Sequence, residues 1–152
     1  MEVLIDTNVI LNYSTQRNDD FLDASNEIMK LCAMEKINGY MAFHSISTLW
    51  YLLRKVKSDS EVRTILENLC DFVTISSIAH SRVVEAIRNK DFSDFEDCLQ
   101  DECAFESGAE YIITCNTKDF ANAKVNAVNP EQFLEIYEKH QKELHTEQQT
   151  FQ

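Results

Sequence analysis

Glycine and proline are scarce, with two Gly and one Pro in 152 residues. That scarcity argues against a sandwich of many tight turns and against long flexible linkers. No run of 18 apolar residues occurs, so no membrane span is expected. The N-terminus lacks the charged-then-apolar layout of a signal peptide, which points to a cytoplasmic protein. No CxxC pair is present. The five cysteines, Cys32, Cys70, Cys98, Cys103 and Cys115, are scattered and read as buried free thiols rather than zinc ligands. His44, His80, His140 and His145 show no ligand spacing either. No P-loop, GxGxxG, HExxH or GxSxG segment occurs, so the chemistries those motifs carry have no support. Basic charge is also short: 14 Lys and Arg stand against 26 Asp and Glu, a net charge of −12. Nucleic-acid binders usually carry a basic footprint. The acidity therefore means carboxylates awaiting a cation, a basic partner, or simple solubility.

What is present suits one domain with one core: 44% hydrophobic and 10% aromatic residues. Residues 2–5 read as a short apolar strand ending at Asp6. A helical pattern runs from Asp20 to about Lys36, with Phe21, Ala24, Ile28, Leu31 and Cys32 on one face. Asn38-Gly39 reads as a turn and Tyr40–Phe43 as a second strand. Ser45 opens a helix to about Val56. Ser58 or Asp59 caps the next, with Val62, Ile65, Leu66 and Leu69 inward. Phe72–Ile75 is the third strand, and a helix from about Ala79 to Asn89 follows. After a loop over Lys90–Ser93, a helix runs from Asp94 to about Ser107, stopped by Gly108. Tyr111–Cys115 is the most strand-like run of all. A fifth strand is expected near Asn126–Val128, and Pro130 starts the last helix, with Phe133, Leu134 and Tyr137 inward. The expected domain covers residues 1–141, with a polar tail over 142–152 that frays. Strands alternating with helices specify an α/β fold, a mostly parallel sheet covered on both faces.

In such folds ligands bind at the carboxyl ends of the strands. Asp6-Thr7-Asn8 follows the first strand, and Thr114-Cys115-Asn116 the fourth. Asp6 is either a turn cap or a ligand. Asp94, Asp97 and Asp101 share one helical face. Asp94 can be its N-cap and Asp101 a solvated charge, while Asp97 lies in the first turn. Asp119, in TCNTKDF, can cap a short turn, with Phe120 anchoring it to the core. Together, Asp6, Asp97 and Asp119 suit a hard divalent cation such as Mg²⁺ or Mn²⁺. Asn8 and Asn116 would hydrogen-bond to water or to a neighbouring carboxylate. Arg54, Lys55 and Lys118 are candidate basic contacts for an anionic ligand. Trp50 and Tyr51 are either core or a partner surface.

These residues resemble a known family. VLIDTNVILNY, SISTLWYLLRK, DFEDCLQ and YIITCNTKDF are similar to the PIN domain, above all to toxins of the VapC kind. The segments keep the family's order over roughly residues 3–134. The resemblance implies a Rossmann-like, three-layer α/β/α sandwich with five strands. It implies a Mg²⁺- or Mn²⁺-dependent ribonuclease, forming homodimers and neutralised by a cognate antitoxin. The catalytic set carried over is Asp6, Asn8, Asp97, Asn116 and Asp119, with Glu96 beside Asp97 and Thr114 near Asp119. Of these, Asp6, Asp97 and Asp119 would be the metal ligands. Where the family often has Glu in the helix after the second strand, this chain has Thr48. Asp94 is a candidate to compensate. The alternative is a weak or inactive PIN-like module that acts by binding protein.

Overall fold

Val3, Leu4 and Ile5 are all fully buried. A continuous apolar run of that length suits a strand covered on both faces, and Glu2–Ile5 forms β1. The computed structural model describes residues 1–150, with side chains through residue 147. Along the chain follow α1 (Thr7–Thr15), α2 (Leu22–Ala33), β2 (Asn38–Ala42), α3 (Phe43–Leu53), α4 (Asp59–Cys70) and β3 (Val73–Ser76). Then come α5 (His80–Arg88), α6 (Phe95–Glu106), β4 (Tyr111–Ile113), a 3-10 turn (Thr117–Phe120), β5 (Asn126–Val128) and α7 (Pro130–Thr150).

The strands form one sheet in the order β3-β2-β1-β4-β5, and every pairing is parallel. Val3 and Ile5 join a core with α1–α4 and Phe133 of α7. Leu4 points the other way, to Cys103 and Ala104 of α6 and to Phe120. The result is the expected α/β/α sandwich, fixed by the two-residue alternation of strand side chains. The chain proceeds outward from β1 to β2 and β3, then returns to place β4 on the other side of β1. The crevice at that reversal, beyond the carboxyl ends of β1 and β4, is where such folds bind ligands.

Several expected boundaries move. Asn38-Gly39 is not a turn but the start of β2. Glycine is needed there because an added Cβ would sit 2.6 Å from Cys32 Sγ and 3.1 Å from Ile5 Cδ1. Phe43 begins α3 instead of ending a strand, and is half-exposed. β4 ends at Ile113, leaving Thr114 and Cys115 beyond it. Ser58, not Asp59, caps α4, in a reciprocal box with Glu61. α1 has no counterpart among the expected elements. α7 continues through the segment expected to fray as far as Thr150; residues 151–152 lie outside the described residues. Cys70 is exposed, whereas Cys32, Cys98 and Cys103 are buried and free as expected.

Gly39 yields a stability prediction. Gly39→Ala should cost about 1–3 kcal/mol through overpacking. In a Cys32→Ala background the cost should shrink, because the nearest atom is gone. Urea unfolding of the four proteins measures the coupling; an equal cost in both backgrounds would show that Cys32 is not the obstacle.

Candidate active site at the carboxyl ends of the central strands

Asp6 ends β1 and caps α1, so one residue is both turn cap and cleft carboxylate. It is 6% exposed. Oδ1 accepts from Thr7 N at 2.7 Å. Oδ2 accepts from Asn8 Nδ2 at 2.9 Å and from Thr114 Oγ1 at 2.7 Å. Asn8 also reaches across the crevice, its Oδ1 accepting from Cys115 N at 3.1 Å. The segment after β1 is thereby tied to the segment after β4.

Thr114 Oγ1 in turn accepts from Asn116 N at 3.1 Å. Asn116 Nδ2 donates to Asp119 Oδ2. Phe120, 4% exposed, anchors the turn that carries Asp119. Asp97 comes from the first turn of α6. Below it, fully buried Gln100 donates to Thr7 Oγ1 at 3.1 Å and Ser45 Oγ at 3.0 Å. Gln100 locks α6 against the starts of α1 and α3. No sequence signal distinguishes it from a surface glutamine.

The charges converge on Asp97. Its carboxyl is pushed up to about 7 by burial first, then by Asp6, Asp94, Asp119 and Glu96. Asp6 is pushed up to about 6, again by burial first, against the lowering effect of Thr114 and Thr7. Thr114 and Asn116 thus link Asp6 to Asp119, with Asn8 beside Asp6, and Asp97 lies near enough on α6 to feel both charges. Asp94 is the N-cap of α6, accepting from Glu96 N. Asp101 departs from expectation: it is 2% exposed and accepts from Lys124 N and Val125 N, both at 3.0 Å. Thr48 does face the site's edge, and donates to Glu96 Oε1 at 3.1 Å. The acid on that side comes from α6 rather than from α3.

These residues fit a hard cation by donor chemistry, since they offer only oxygen and their mutual repulsion is uncompensated. Among the described residues no three His, Cys, Asp or Glu side chains converge tightly enough to grip one ion. Mg²⁺-like ions commonly use one or two carboxylates and keep their waters.

The raised carboxyls predict a pH response of the metal-free protein. Both hold a proton more tightly folded than at their ordinary value of 3.8. Their effect is destabilising above about pH 7 and is relieved as pH falls through 7 and 6. His44 acts oppositely, since burial favours its neutral form. The two carboxyls should outweigh it. The thermal midpoint in chelator should rise from pH 8 to pH 5.5, and Mn²⁺ should raise it more at pH 8 than at 5.5. A midpoint that falls over that range would contradict the repulsion.

Arg54 and Lys55 lie away from the cleft acids. Arg54 donates to Lys57 O and stands over Trp50, and Lys55 stands over Tyr51. Trp50 is partly buried and lines an apolar groove of about 740 Å³ with Phe43, Ile46 and Leu66. Tyr51 is exposed.

A family model described as the PIN domain matches residues 2–118. No curated protein is a detectable sequence match. Among solved structures, VapBC2 from Rickettsia felis, bound to a promoter DNA fragment, is 16% identical at a TM-score of 0.62, covering 85% of this chain and 98% of that one. A toxin–antitoxin complex from Klebsiella pneumoniae is 20% identical at 0.60, covering 84% and 97%. VapC20 of Mycobacterium tuberculosis, a sarcin-ricin-loop-cleaving toxin, is 13% identical at 0.56, covering 72% and 86%. With more than half its length matched by that family model and its crevice lined as described, the chain belongs to the PIN domain family.

Proposed function

We propose that this chain is a Mg²⁺- or Mn²⁺-dependent endoribonuclease, the toxin of a toxin–antitoxin pair. The observation that carries this reading is the hydrogen-bonded chain from Asp6 through Thr114 and Asn116 to Asp119 at the topological switch point of a PIN fold, with Asp97 on the neighbouring helix α6. Of Asp6, Asp97 and Asp119, one or two would ligate the cation directly and the rest would act through its waters. Bound there, it would supply Lewis acidity toward water and neutralise charge on an RNA phosphate.

The chain's own residues do the rest. Thr114, Thr7 and Asn8 fix both oxygens of Asp6. Asn116 fixes Asp119. Without a cation, the Asp97 carboxyl keeps a proton near neutrality, so proton and cation compete for its oxygens. Glu96, held by Thr48, adds negative charge at the edge where the family often has its Glu.

Two of the structural neighbours are a VapBC assembly and a toxin–antitoxin complex. This supports a cognate antitoxin as partner. The apolar groove at Trp50 and the exposed Tyr51 suit such a surface, or that of a homodimer. Among the described residues no helix is long and apolar enough to cross a membrane. The test is incubation of the purified chain with structured and single-stranded RNAs in Mn²⁺, Mg²⁺ or chelator. Cleavage confined to the metal samples is expected. Metal-independent cleavage would remove the mechanism. No cleavage, combined with capture of a protein partner, would favour the module that acts by binding.

A further inference from the structure

A chain with net charge −12 must hold a polyanion close to a cluster of carboxylates. A cation in the site offsets part of that repulsion, and a fixed basic side chain beside it would offset more. The basic residues expected to serve were Arg54, Lys55 and Lys118. Two of them are engaged at the far end of α3. Lys118 is exposed beside Asp119. A different residue, Arg17, stands at the rim and is held in place.

α1 begins at the cleft acid and ends at Gln16, whose φ of 50° turns the chain back on itself. Arg17 follows directly. Its Nε donates to Asn12 Oδ1 at 2.5 Å. Asn12 is fully buried in α1, an unusual place for an amide unless it is satisfied. Its Nδ2 donates to Asp19 Oδ1 at 3.0 Å and approaches Cys115 Sγ at 3.6 Å. Every polar atom of the Asn12 amide is therefore used, and Arg17 is what occupies its oxygen. Cys115 is the residue whose N–H holds Asn8, and Asn8 holds Asp6. Burial, Asp19 and Asp6 push the Cys115 thiol up, and Arg17 pulls it down. Arg17 through Asn12, and Asp6 through Asn8, thus both connect to Cys115 just after β4.

The guanidinium is not consumed by these contacts. Nη2 stands 4.0 Å from Asp19 Oδ2, the outer limit of an ion pair, and the side chain is 42% exposed. With Nε committed to Asn12 and Nη2 only loosely paired with Asp19, the two Nη groups keep donors for an outside ligand. A planar fork with one edge pinned suits a phosphodiester, which accepts two parallel hydrogen bonds.

We infer that Arg17 is a phosphate anchor, gripping the RNA backbone at the rim of the carboxylate cleft and so opposing the chain's overall negative charge. This rests on the ribonuclease reading. The experiment measures binding of a labelled single-stranded RNA in Ca²⁺, across a salt series, for wild type, Arg17→Ala and Arg17→Gln. Arg17→Gln keeps a donor for Asn12 without the charge, which guards against a loop that merely loses its support. Both variants should bind RNA about tenfold or more weakly, and the salt slope should fall by about one. Mn²⁺ affinity by calorimetry and the thermal midpoint of Arg17→Gln should match wild type. Unchanged affinity and slope in both variants would overturn the assignment while leaving the nuclease intact. So would an affinity loss in Arg17→Ala alone, accompanied by a lowered midpoint, since that marks a structural role. If wild type neither binds nor cuts any RNA, the ribonuclease reading falls, and the anchor falls with it.

Discussion

Asp6→Asn should reduce metal-dependent RNA cleavage by about a thousandfold or more, because several kcal/mol of charge stabilisation depend on the cation. The substitution is nearly isosteric. Asn can still accept from Thr7 N through its oxygen and donate to Thr114 Oγ1, while Asn8 Nδ2 must turn to Thr114 Oγ1 or water. What is lost is the charge, at a site where burial and Glu96 already hold the carboxyl up to about 6. Removing it also relieves Asp97, whose raised value owes more to Asp6 than to any other charge. The metal-free variant should therefore unfold no earlier than wild type at pH 8, and Mn²⁺ should stabilise it less. Activity and stability then move in different directions from one substitution. A variant that loses cleavage only because it unfolds would fail the thermal measurement. One that keeps wild-type cleavage would show that Asp6 is only the cap of α1.

The periodic parts of this chain were legible in its sequence, and the parts that depend on close approach were not. Val3–Ile5 and Tyr111–Ile113 are apolar runs that only a sheet covered on both faces can bury, so the five parallel strands and their order of appearance followed. Asp6, Asp97 and Asp119 were placed because their distance from strand ends or helix starts is set by backbone geometry. Asn38-Gly39 misled because the dipeptide is a turn signal, while its glycine is dictated by Cys32 packing from α2. α1 escaped notice because its inward face includes the polar Thr7 and Asn12. Their burial is supported by Ser45 and Gln100, distant in sequence, and by Asp19 and Arg17 just past the end of α1, where periodicity predicts no contact. Arg17 was missed for the same reason, since its place depends on an amide that periodicity marks as unremarkable.

Asp101→Ala should be among the most damaging substitutions outside the cleft. Asp101 lies one turn beyond Asp97 on α6, where three-and-four spacing makes it look like a third member of an acidic stripe. In the fold it points elsewhere. Its two oxygens accept from Lys124 N and Val125 N, closing the segment that leads from the Asp119 turn into β5. Both amides sit where the chain enters the core, with Val125 7% exposed. Burial raises the Asp101 carboxyl against the lowering effect of the two backbone donors. Truncation leaves two amides short of an acceptor, at roughly 1–3 kcal/mol each. For a chain of this length, a loss of that size lowers the thermal midpoint by roughly 4–24 °C. The consequence should extend to the site, because β5 and the Asp119 turn lose a shared tether to α6. Mn²⁺ affinity should fall in Asp101→Ala even at temperatures where the variant is fully folded. Asp97→Ala should show the opposite combination, with weaker Mn²⁺ binding and an unchanged or raised midpoint without metal. If Asp101→Ala were thermally silent, the carboxylate would be a surface charge after all, and the loop would have to be held by something other than α6.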